Sequence, residues 1–291
     1  MRSADEVSIR AAGRSLITPL ASLWVCCGLM LLLVACGGGT ESELAKPTPS
    51  LHFDLVKLFM NARAYDAASP VAQKLYRDHP KDPRPPYYLG VILREREAFE
   101  NAERYLLESI KRDPTFAPAH DALGILYGVQ NRLSDALIAH RRATELAPRD
   151  AQFWHNLGFV LTLSKRYDQS IKAYQTALAL APEQKKIYHS LGLVYAVKGD
   201  DVSARRMLLQ ATTPAQAWLT LATLQERRGD LSLAQESFSK ALELDPSLTR
   251  AERALTRIHD TLRAQDQALH PSAPSPIQRQ QRPVIDTPDR K

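Results

Sequence analysis

The side chains that most often bind metals are scattered along this chain. Its eight histidines form no close group, although His155 and His189 occupy equivalent positions in two similar stretches. If both stretches are packed helices, equivalent positions on neighbours lie about 9 to 10 Å apart. Zinc needs ligand atoms about 2 Å from one ion and usually three protein ligands. The two histidines are therefore expected to make polar contacts in a binding groove or to lie on solvated surface, and we expect no bound metal.

Signatures of catalysis are also missing from the sequence. It contains no glycine-rich phosphate loop, no His-Glu-x-x-His, no nucleophile elbow and no Cys-x-x-Cys pair. Aspartate and glutamate are frequent, as they are on any solvated helix surface. We therefore predict no catalytic residues, no cofactor and no small-molecule substrate. An enzyme or ligand-binding protein with an unrecognised site stays open as an alternative, but it would need a clustered acid–base pair.

All three cysteines lie near the beginning of the chain, at Cys26, Cys27 and Cys36. The rest of the chain therefore has neither a disulfide framework nor a cysteine-based metal site. The formal net charge is +6, from 38 basic and 32 acidic residues, and no block of five or more basic residues occurs. This mild balance gives no support to nucleic-acid binding. A hydrophobic content of 44% is normal for a soluble globular protein and allows a sizeable core.

The beginning of the chain has the features of a secretory signal. Arg2, Arg10 and Arg14 precede an apolar stretch over residues 16–35. The stretch ends in Leu33-Val34-Ala35-Cys36, which resembles the lipobox of bacterial lipoproteins. The resemblance implies that residues 1–35 are a signal peptide and that Cys36 becomes a lipid-bearing N-terminus, diacylated and usually acylated again, with fatty acids such as palmitate.

The resemblance also bears on location. Two or more acyl chains give a stable anchor without a spanning helix. Gly37 follows the cysteine, which in this family favours the outer membrane, facing the periplasm, whereas aspartate there tends to retain a protein at the inner membrane. Residues 36–50, which begin with three glycines after the cysteine, are predicted to be a flexible tether.

Other interpretations of the beginning of the chain stay open. The protein could be anchored at the inner membrane and still face the periplasm. It could also keep its signal as an anchor, since an apolar segment of about 20 residues can just span a bilayer, or be secreted without a lipid. Pro19, Asp5 and Glu6 are unusual in a signal peptide.

Further along, glycines recur at one constant interval, at Gly90, Gly124, Gly158 and Gly192. In phase with each glycine are a leucine before it, a proline ten residues earlier and a small residue twelve residues later. Several positions in phase over four units make a specific pattern. The pattern resembles the tetratricopeptide repeat (TPR), whose motif is matched in the fourth unit by Trp154, Leu157, Gly158, Tyr174, Ala177 and Pro182.

The resemblance implies an all-α fold, a TPR α-solenoid that forms a right-handed superhelix of helix-turn-helix units. Weaker matches at both ends extend the pattern to six units over residues 51–246. One amphipathic pair cannot cover its own apolar face, so neighbouring pairs must stack. In the fourth unit we predict helices over about Ala151–Ser164 and Tyr167–Ala181, with Gly158 facing small residues of the Ala177 type. Residues 247–268 are predicted to form a capping helix, and the proline-rich residues 269–291 a disordered tail.

The fifth unit is shorter than the others. The interval from Tyr188 to Trp218 is four residues shorter than the interval between successive glycines of the pattern. Since four residues of helix span about 6 Å, the second helix of this unit should be about one turn short. Both a tolerated deletion at a loop and a bend that reshapes the groove are compatible with this spacing.

In the family, the first helix of each unit lines the concave face, and this implies where a partner binds. In the sixth unit the family's groove positions fall on Leu219, Thr223, Glu226 and Arg227. Other groove positions, together with Asn156, give fourteen candidate partner-binding residues. These are Tyr87, Val91, Arg94, Asp121, Ile125, Val129, His155, Asn156, Phe159, Leu163, Lys186, His189, Leu193 and Val197. The apolar members predict a stripe suited to an amphipathic helix or an extended peptide; alternatively, some of them pack between neighbouring helices. Some relatives clamp a terminal carboxylate, but Ser190 stands where an arginine is needed, so Asn156 is expected at most to bond a peptide backbone.

Together these features predict a membrane-anchored scaffold without enzymatic activity that binds a partner protein. The architecture resembles pilotin-type TPR lipoproteins of type IV pili or Tad-type secretion, which implies a role in assembling an envelope complex. An adaptor for peptidoglycan or polysaccharide-export enzymes is the alternative within the same class.

Overall fold

The computed structural model describes residues 49–269, and this part of the chain consists of thirteen α-helices without a strand. The predicted signal peptide, Cys36, most of the tether and the tail from residue 270 lie outside the described residues. Six helix pairs follow one another, and a longer single helix comes last. The pairs are α1 (Pro49–Asn61) and α2 (Tyr65–Asp78), α3 (Arg84–Glu95) and α4 (Phe99–Arg112), α5 (Ala117–Val129) and α6 (Leu133–Leu146), α7 (Ala151–Leu163) and α8 (Tyr167–Leu180), α9 (Lys185–Lys198) and α10 (Asp201–Ala211), and α11 (Pro214–Arg228) and α12 (Leu231–Leu244), followed by α13 (Thr249–Leu269).

Each helix packs against its partner in the pair, and the second helix then packs against the first helix of the next pair. In the fourth unit, α7 and α8 match the predicted helices within one residue at each end. The first helix begins at Pro49, and proline is tolerated in a first helical turn. The predicted all-α solenoid of helix pairs is confirmed.

Gly158 shows how the two helices of a pair approach each other. A Cβ atom added here would lie 2.9 Å from ring atoms of Tyr174, whose side chain is fully buried. Ser170 donates its hydroxyl to the Gly158 carbonyl at 2.7 Å. The nearest side chain to Gly158 is therefore the large ring of Tyr174, where only small residues of the Ala177 type were predicted, and Ser170 is the small residue that contacts its backbone.

The turn inside every pair contains one residue with a left-handed backbone. In the first four units these residues have φ between 55° and 59° although none is glycine, and in the last two φ is 92° and 88°. They are Arg63, Glu97, Asn131, Lys165, Gly199 and Gly229. Because a residue with a Cβ adopts this conformation at a cost of about 1–2 kcal/mol, the packing of the helix pair must impose it. The turn geometry is therefore determined by the packing of the repeat and not by the residue type.

The second helix of the fifth unit, α10, has 11 residues, whereas each of the other second helices has 14. Only Thr212 and Thr213 connect it to α11, and the Thr213 hydroxyl caps α11 by accepting a hydrogen bond from the Gln216 amide at 3.4 Å. The four-residue difference in spacing therefore shortens the helix and its connection together, which confirms the predicted shortening.

Asp201 links the fifth and sixth units at the beginning of α10. Arg228 donates to both of its carboxylate oxygens, at 2.8 and 3.0 Å, and the buried Gln225 donates to it at 2.6 Å. Burial alone would raise the pKa of Asp201, but the hydrogen bonds from Arg228 and Gln225 hold the pKa below its usual value. The corresponding position in the preceding units carries a large apolar side chain, as Tyr167 does in α8. A polar contact therefore replaces an apolar one at this junction.

We expect Asp201→Ala to lower the free energy of unfolding by about 1–3 kcal/mol at neutral pH, because charge-assisted hydrogen bonds at a largely covered site are lost. Since the folded-state pKa of Asp201 is depressed, its contribution is fully present above the unfolded value of roughly 3.9 and disappears as the pH falls through the folded value. The difference between wild type and variant, measured by urea unfolding, should therefore shrink on acidification. The matched control is Asp168→Ala, because Asp168 is also paired, with Lys198, but is highly exposed; it should leave the unfolding midpoint unchanged. A difference that stays constant with pH would contradict the assignment.

The last helix, α13, covers the open end of the sixth unit. Ala251, Ala254 and Ile258 are buried in one cluster with Phe238 of α12. Leu248, Leu255 and Leu262 are partly buried against the same cluster. The predicted capping helix is present and spans Thr249–Leu269.

Candidate partner-binding groove

The first helices of the pairs lie side by side along one face. From α3 to α11, each first helix contacts the next one, whereas among the described residues no contact of comparable extent joins successive second helices. A stack whose elements meet on one side only curves toward that side. The first helices therefore line the inner side of the solenoid, which we call the groove.

Four large apolar side chains are exposed in the middle of the groove, on α5, α7 and α9. Three of them occupy the same position in successive units, and the fourth lies one turn earlier on α7. Ile125 and Leu193 are partly buried at the positions equivalent to that fourth residue. We call the exposed set the apolar patch: Val129 (60% exposed), Phe159 (53%), Leu163 (45%) and Val197 (39%).

Two residues that were predicted to line the groove are buried instead. Val91 is only 9% exposed and belongs to the core cluster that also contains Leu123 and Leu126. Asp121 is only 7% exposed. Since α3 and α5 contact each other directly, positions that face the neighbouring helix are covered. The alternative that some predicted groove residues pack between helices therefore applies to these two.

Asp121 is the centre of a polar network that joins the third and fourth units. His140 of α6, 1% exposed, places its Nδ1 atom 2.8 Å from the Asp121 carboxylate. Since a carboxylate only accepts, the histidine nitrogen is the donor. The Asn156 amide of α7 donates to both carboxylate oxygens, at 3.0 and 2.9 Å. Asp121 is therefore satisfied inside the protein.

The same network extends along the groove to the fifth unit. Gln152 donates to the Asn156 side-chain oxygen at 2.7 Å and accepts a hydrogen bond from the Lys186 ammonium group. Both polar ends of the Asn156 amide are thus engaged, and bonding to a partner's backbone would require these bonds to be exchanged. Lys186 is exposed and reachable from the groove.

The structure places His155 and His189 in different environments. His155 is partly buried, its Nε2 atom lies 3.1 Å from the Ser190 hydroxyl, and its ring lies 5.4 Å from that of Tyr174. Burial lowers the pKa of His155, which favours the neutral ring. His189 is exposed. Within residues 49–269, no group of three or more His, Cys, Asp or Glu residues is arranged to hold a metal ion.

The two predicted groove residues of the second unit that remain, Tyr87 and Arg94, are both engaged with neighbours. Tyr87 is partly buried, with its ring 5.6 Å from that of Phe116, and burial, with a smaller effect of the Asp121 charge, raises its pKa. Arg94 forms a 2.6 Å ion pair with Glu95. This end of the groove therefore offers few free polar groups.

At the opposite end of the groove, sequence reasoning placed Thr223, Glu226 and Arg227 of α11 in the groove but gave no role to the arginines of α13, which lies beside α11. Arg250, Arg253 and Arg257 of α13 line a cleft there together with Thr223 and Glu226 of α11. The spacing of the three arginines, three and four residues apart, places them on one side of a helix. That spacing was the available signal, but only the position of α13 shows that this side borders the groove.

None of the helices among the described residues combines the length and apolarity needed to cross a membrane.

Comparison with known proteins identifies the repeats and the fold. Family models described as "Tetratricopeptide repeat" match residues 53–115 and 215–248, and a model described as "TPR repeat" matches residues 160–199. No curated protein sequence matches the chain.

Two solved structures show the likeness of the fold. PilF of Pseudomonas aeruginosa has a TM-score of 0.58 at 16% identity, over 72% of this chain and 97% of that one. YrrB, described as a TPR protein with an unusual peptide-binding site, has a TM-score of 0.52 at 19% identity, over 63% of this chain and 96% of that one. At these identities the likeness shows a shared fold only.

Proposed function

Since the chain is built from tetratricopeptide repeats, a fold that generally serves as a protein-interaction scaffold, we propose that it is a lipid-anchored, non-enzymatic scaffold that binds a segment of a partner protein in its groove. The partner segment is an amphipathic helix or an extended peptide. Its apolar side chains contact the apolar patch.

The exposed apolar patch is the observation that carries this proposal. Four large apolar side chains, each more than a third exposed, lie on three successive first helices. Contiguous exposed apolar surface usually marks an interaction site. The network around Asp121 also links α5, α6 and α7, which favours a preformed groove. A preformed surface loses less entropy when a partner binds.

We further propose that the scaffold faces the periplasm from the outer membrane and aids assembly of an envelope complex of the pilus or secretion type. Support for the location comes from the lipobox-like sequence that ends at Cys36 and from Gly37 after it. Support for the pathway is the combination of a lipid anchor with about six repeats, together with a fold shared with PilF. Support for peptide binding is the shared fold with YrrB, whose description names a peptide-binding site.

The test is affinity capture from envelope extracts with the full chain carrying Phe159→Glu and Leu163→Glu. Burying two large apolar side chains contributes about 3 kcal/mol or more, so we expect partner capture to fall at least about a hundredfold. Both side chains are exposed, so the circular dichroism spectrum should not change.

The matched control is Leu107→Glu with Ile138→Glu, which changes two exposed apolar residues on the second helices α4 and α6. It should retain the partner. If the groove variant captures the same proteins as wild type and control, the groove is not the binding site. If the circular dichroism signal falls, the same comparison is made with Phe159→Ser and Leu163→Ser, which keep the charge unchanged.

A further inference from the structure

The groove ends at a cleft between α13 and the first helix of the last repeat. The cleft is lined by Thr223 and Glu226 of α11, by Phe238 of α12, and by Arg250 and Arg253 of α13. The cleft has a volume of about 420 Å³. It is therefore large enough for more than one polar side chain.

The cleft is continuous with the groove. A neighbouring smaller depression is lined by Leu193 of α9, by Leu219 and Arg227 of α11 and, like the cleft, by Thr223 and Arg250. Leu193 occupies the same position in its unit as Phe159 of the apolar patch. A segment that lies along the patch therefore reaches the arginines without leaving the inner face.

The positive charge at this end is only partly compensated. Arg257 donates to one carboxylate oxygen of Glu226 at 2.6 and 3.0 Å. Arg227, Arg250 and Arg253 are exposed, and none of them forms an ion pair with an acidic side chain of residues 49–269. Like charges three residues apart on a helix repel each other. Arg250 and Arg253 are such a pair, so a bound anion would relieve their repulsion.

We propose that this cleft binds acidic side chains of the same partner segment whose apolar residues contact the apolar patch. This inference rests on the proposed function. Guanidinium groups bind carboxylates through paired hydrogen bonds. Arg250 and Arg253 in the cleft and Arg227 in the depression beside it together match more than the single charge of a chain terminus. The partner segment therefore carries at least two aspartates or glutamates.

The geometry also predicts where those acidic residues lie. Successive first helices are about 10 Å apart, so α7 and α11 are separated by roughly 20 Å. An extended chain advances about 3.3 Å per residue. The acidic residues of an extended partner therefore lie about six residues from the side chain that contacts Phe159.

The experiment is a selection of random displayed peptides on the detergent-solubilised full-length protein, with three forms in parallel. These are wild type, the variant Arg227→Gln/Arg250→Gln/Arg253→Gln, and the control Arg77→Gln/Arg141→Gln/Arg206→Gln, which removes three exposed arginines from second helices. The two variants have the same net charge. Wild type and control should enrich peptides that combine apolar residues with an acidic cluster at the predicted spacing. The first variant should enrich the apolar residues alone and bind the wild-type peptides at least about tenfold more weakly.

Acidic enrichment that persists in the first variant, or is lost equally in the control, would mean that overall charge and not this cleft is responsible, and the inference would fail. Enriched peptides with apolar residues but no acidic cluster on wild type would overturn the cleft assignment while leaving the groove intact. If wild type enriches no peptide that binds in the groove, the proposed function itself fails.

Discussion

Replacing Asp121 with alanine is expected to lower the free energy of unfolding by about 3–5 kcal/mol, the cost typical of removing one partner from a buried pair. The carboxylate accepts hydrogen bonds from His140 and from the partly buried Asn156, and Asp121 and His140 are themselves buried between the helices. Without it, the ring nitrogen of the fully buried His140 has no acceptor. Leaving a buried donor without an acceptor costs the full free energy of its desolvation.

Urea unfolding followed by circular dichroism measures this loss, and hydrogen exchange of α5 to α7 localises it. The control is Asp135→Ala in the same unit, because Asp135 pairs with Arg132 with nearly half of its side chain exposed and should cost less than about 1 kcal/mol. A double-mutant cycle with His140→Leu then isolates the pair, since Leu106 and Leu208 fill the equivalent space in other units. If Asp121→Ala lowers the free energy of unfolding no more than Asp135→Ala does, the network does not stabilise the helices that form the groove.

The fold could be predicted because its signals are local and repeat. The constant spacing of Gly90, Gly124, Gly158 and Gly192 marks one tight helix pair after another. Because the same pattern recurs, the helix bounds assigned in one unit can be checked against those of its neighbours. This explains why the helices of the fourth unit were predicted within one residue. The left-handed turn at Lys165 could not be predicted from its residue type, because packing and not intrinsic preference imposes it.

The polar contacts within and between units could not be predicted in the same way. Asp121 and His140 are 19 residues apart, and Asp201 and Arg228 are 27 residues apart. Neither separation is one that the periodicity of a helix predicts to bring two residues together. One signal was available: His140 occupies the position where the next unit carries the buried Tyr174. A polar residue at a core position of a repeat requires a partner nearby.

The groove was predicted only in outline. The repeat pattern assigns Val91 and Phe159 to the same position of the first helix, yet Val91 is 9% exposed and Phe159 is 53% exposed. Exposure depends on which side chains the neighbouring helices contribute, and those come from different units. The pattern therefore indicates which face a residue belongs to, and only the packed structure shows which residues of that face are accessible.

The largest effect is expected at Cys36, where Cys36→Ser should abolish incorporation of labelled palmitate. Only a cysteine thiol at this position would carry the acyl chains that the lipobox resemblance implies. Each buried CH₂ contributes about 0.8 kcal/mol, so a chain of some sixteen carbons contributes on the order of 10 kcal/mol to membrane binding. Variant protein that has lost residues 1–35 should therefore leave the membrane fraction, whereas the wild type remains in it.

Cys26→Ser combined with Cys27→Ser is the matched control, because both cysteines belong to the segment that the lipobox resemblance marks for removal. This variant should keep the label and remain at the membrane. Mass spectrometry of the mature wild-type chain should find an acylated Cys36 as its first residue. Label that persists in Cys36→Ser would count against the lipobox, and a mature chain that retains residues 1–35 would favour an uncleaved anchor. The groove assignment would be unaffected, because it depends on residues of α5, α7 and α9 and not on Cys36.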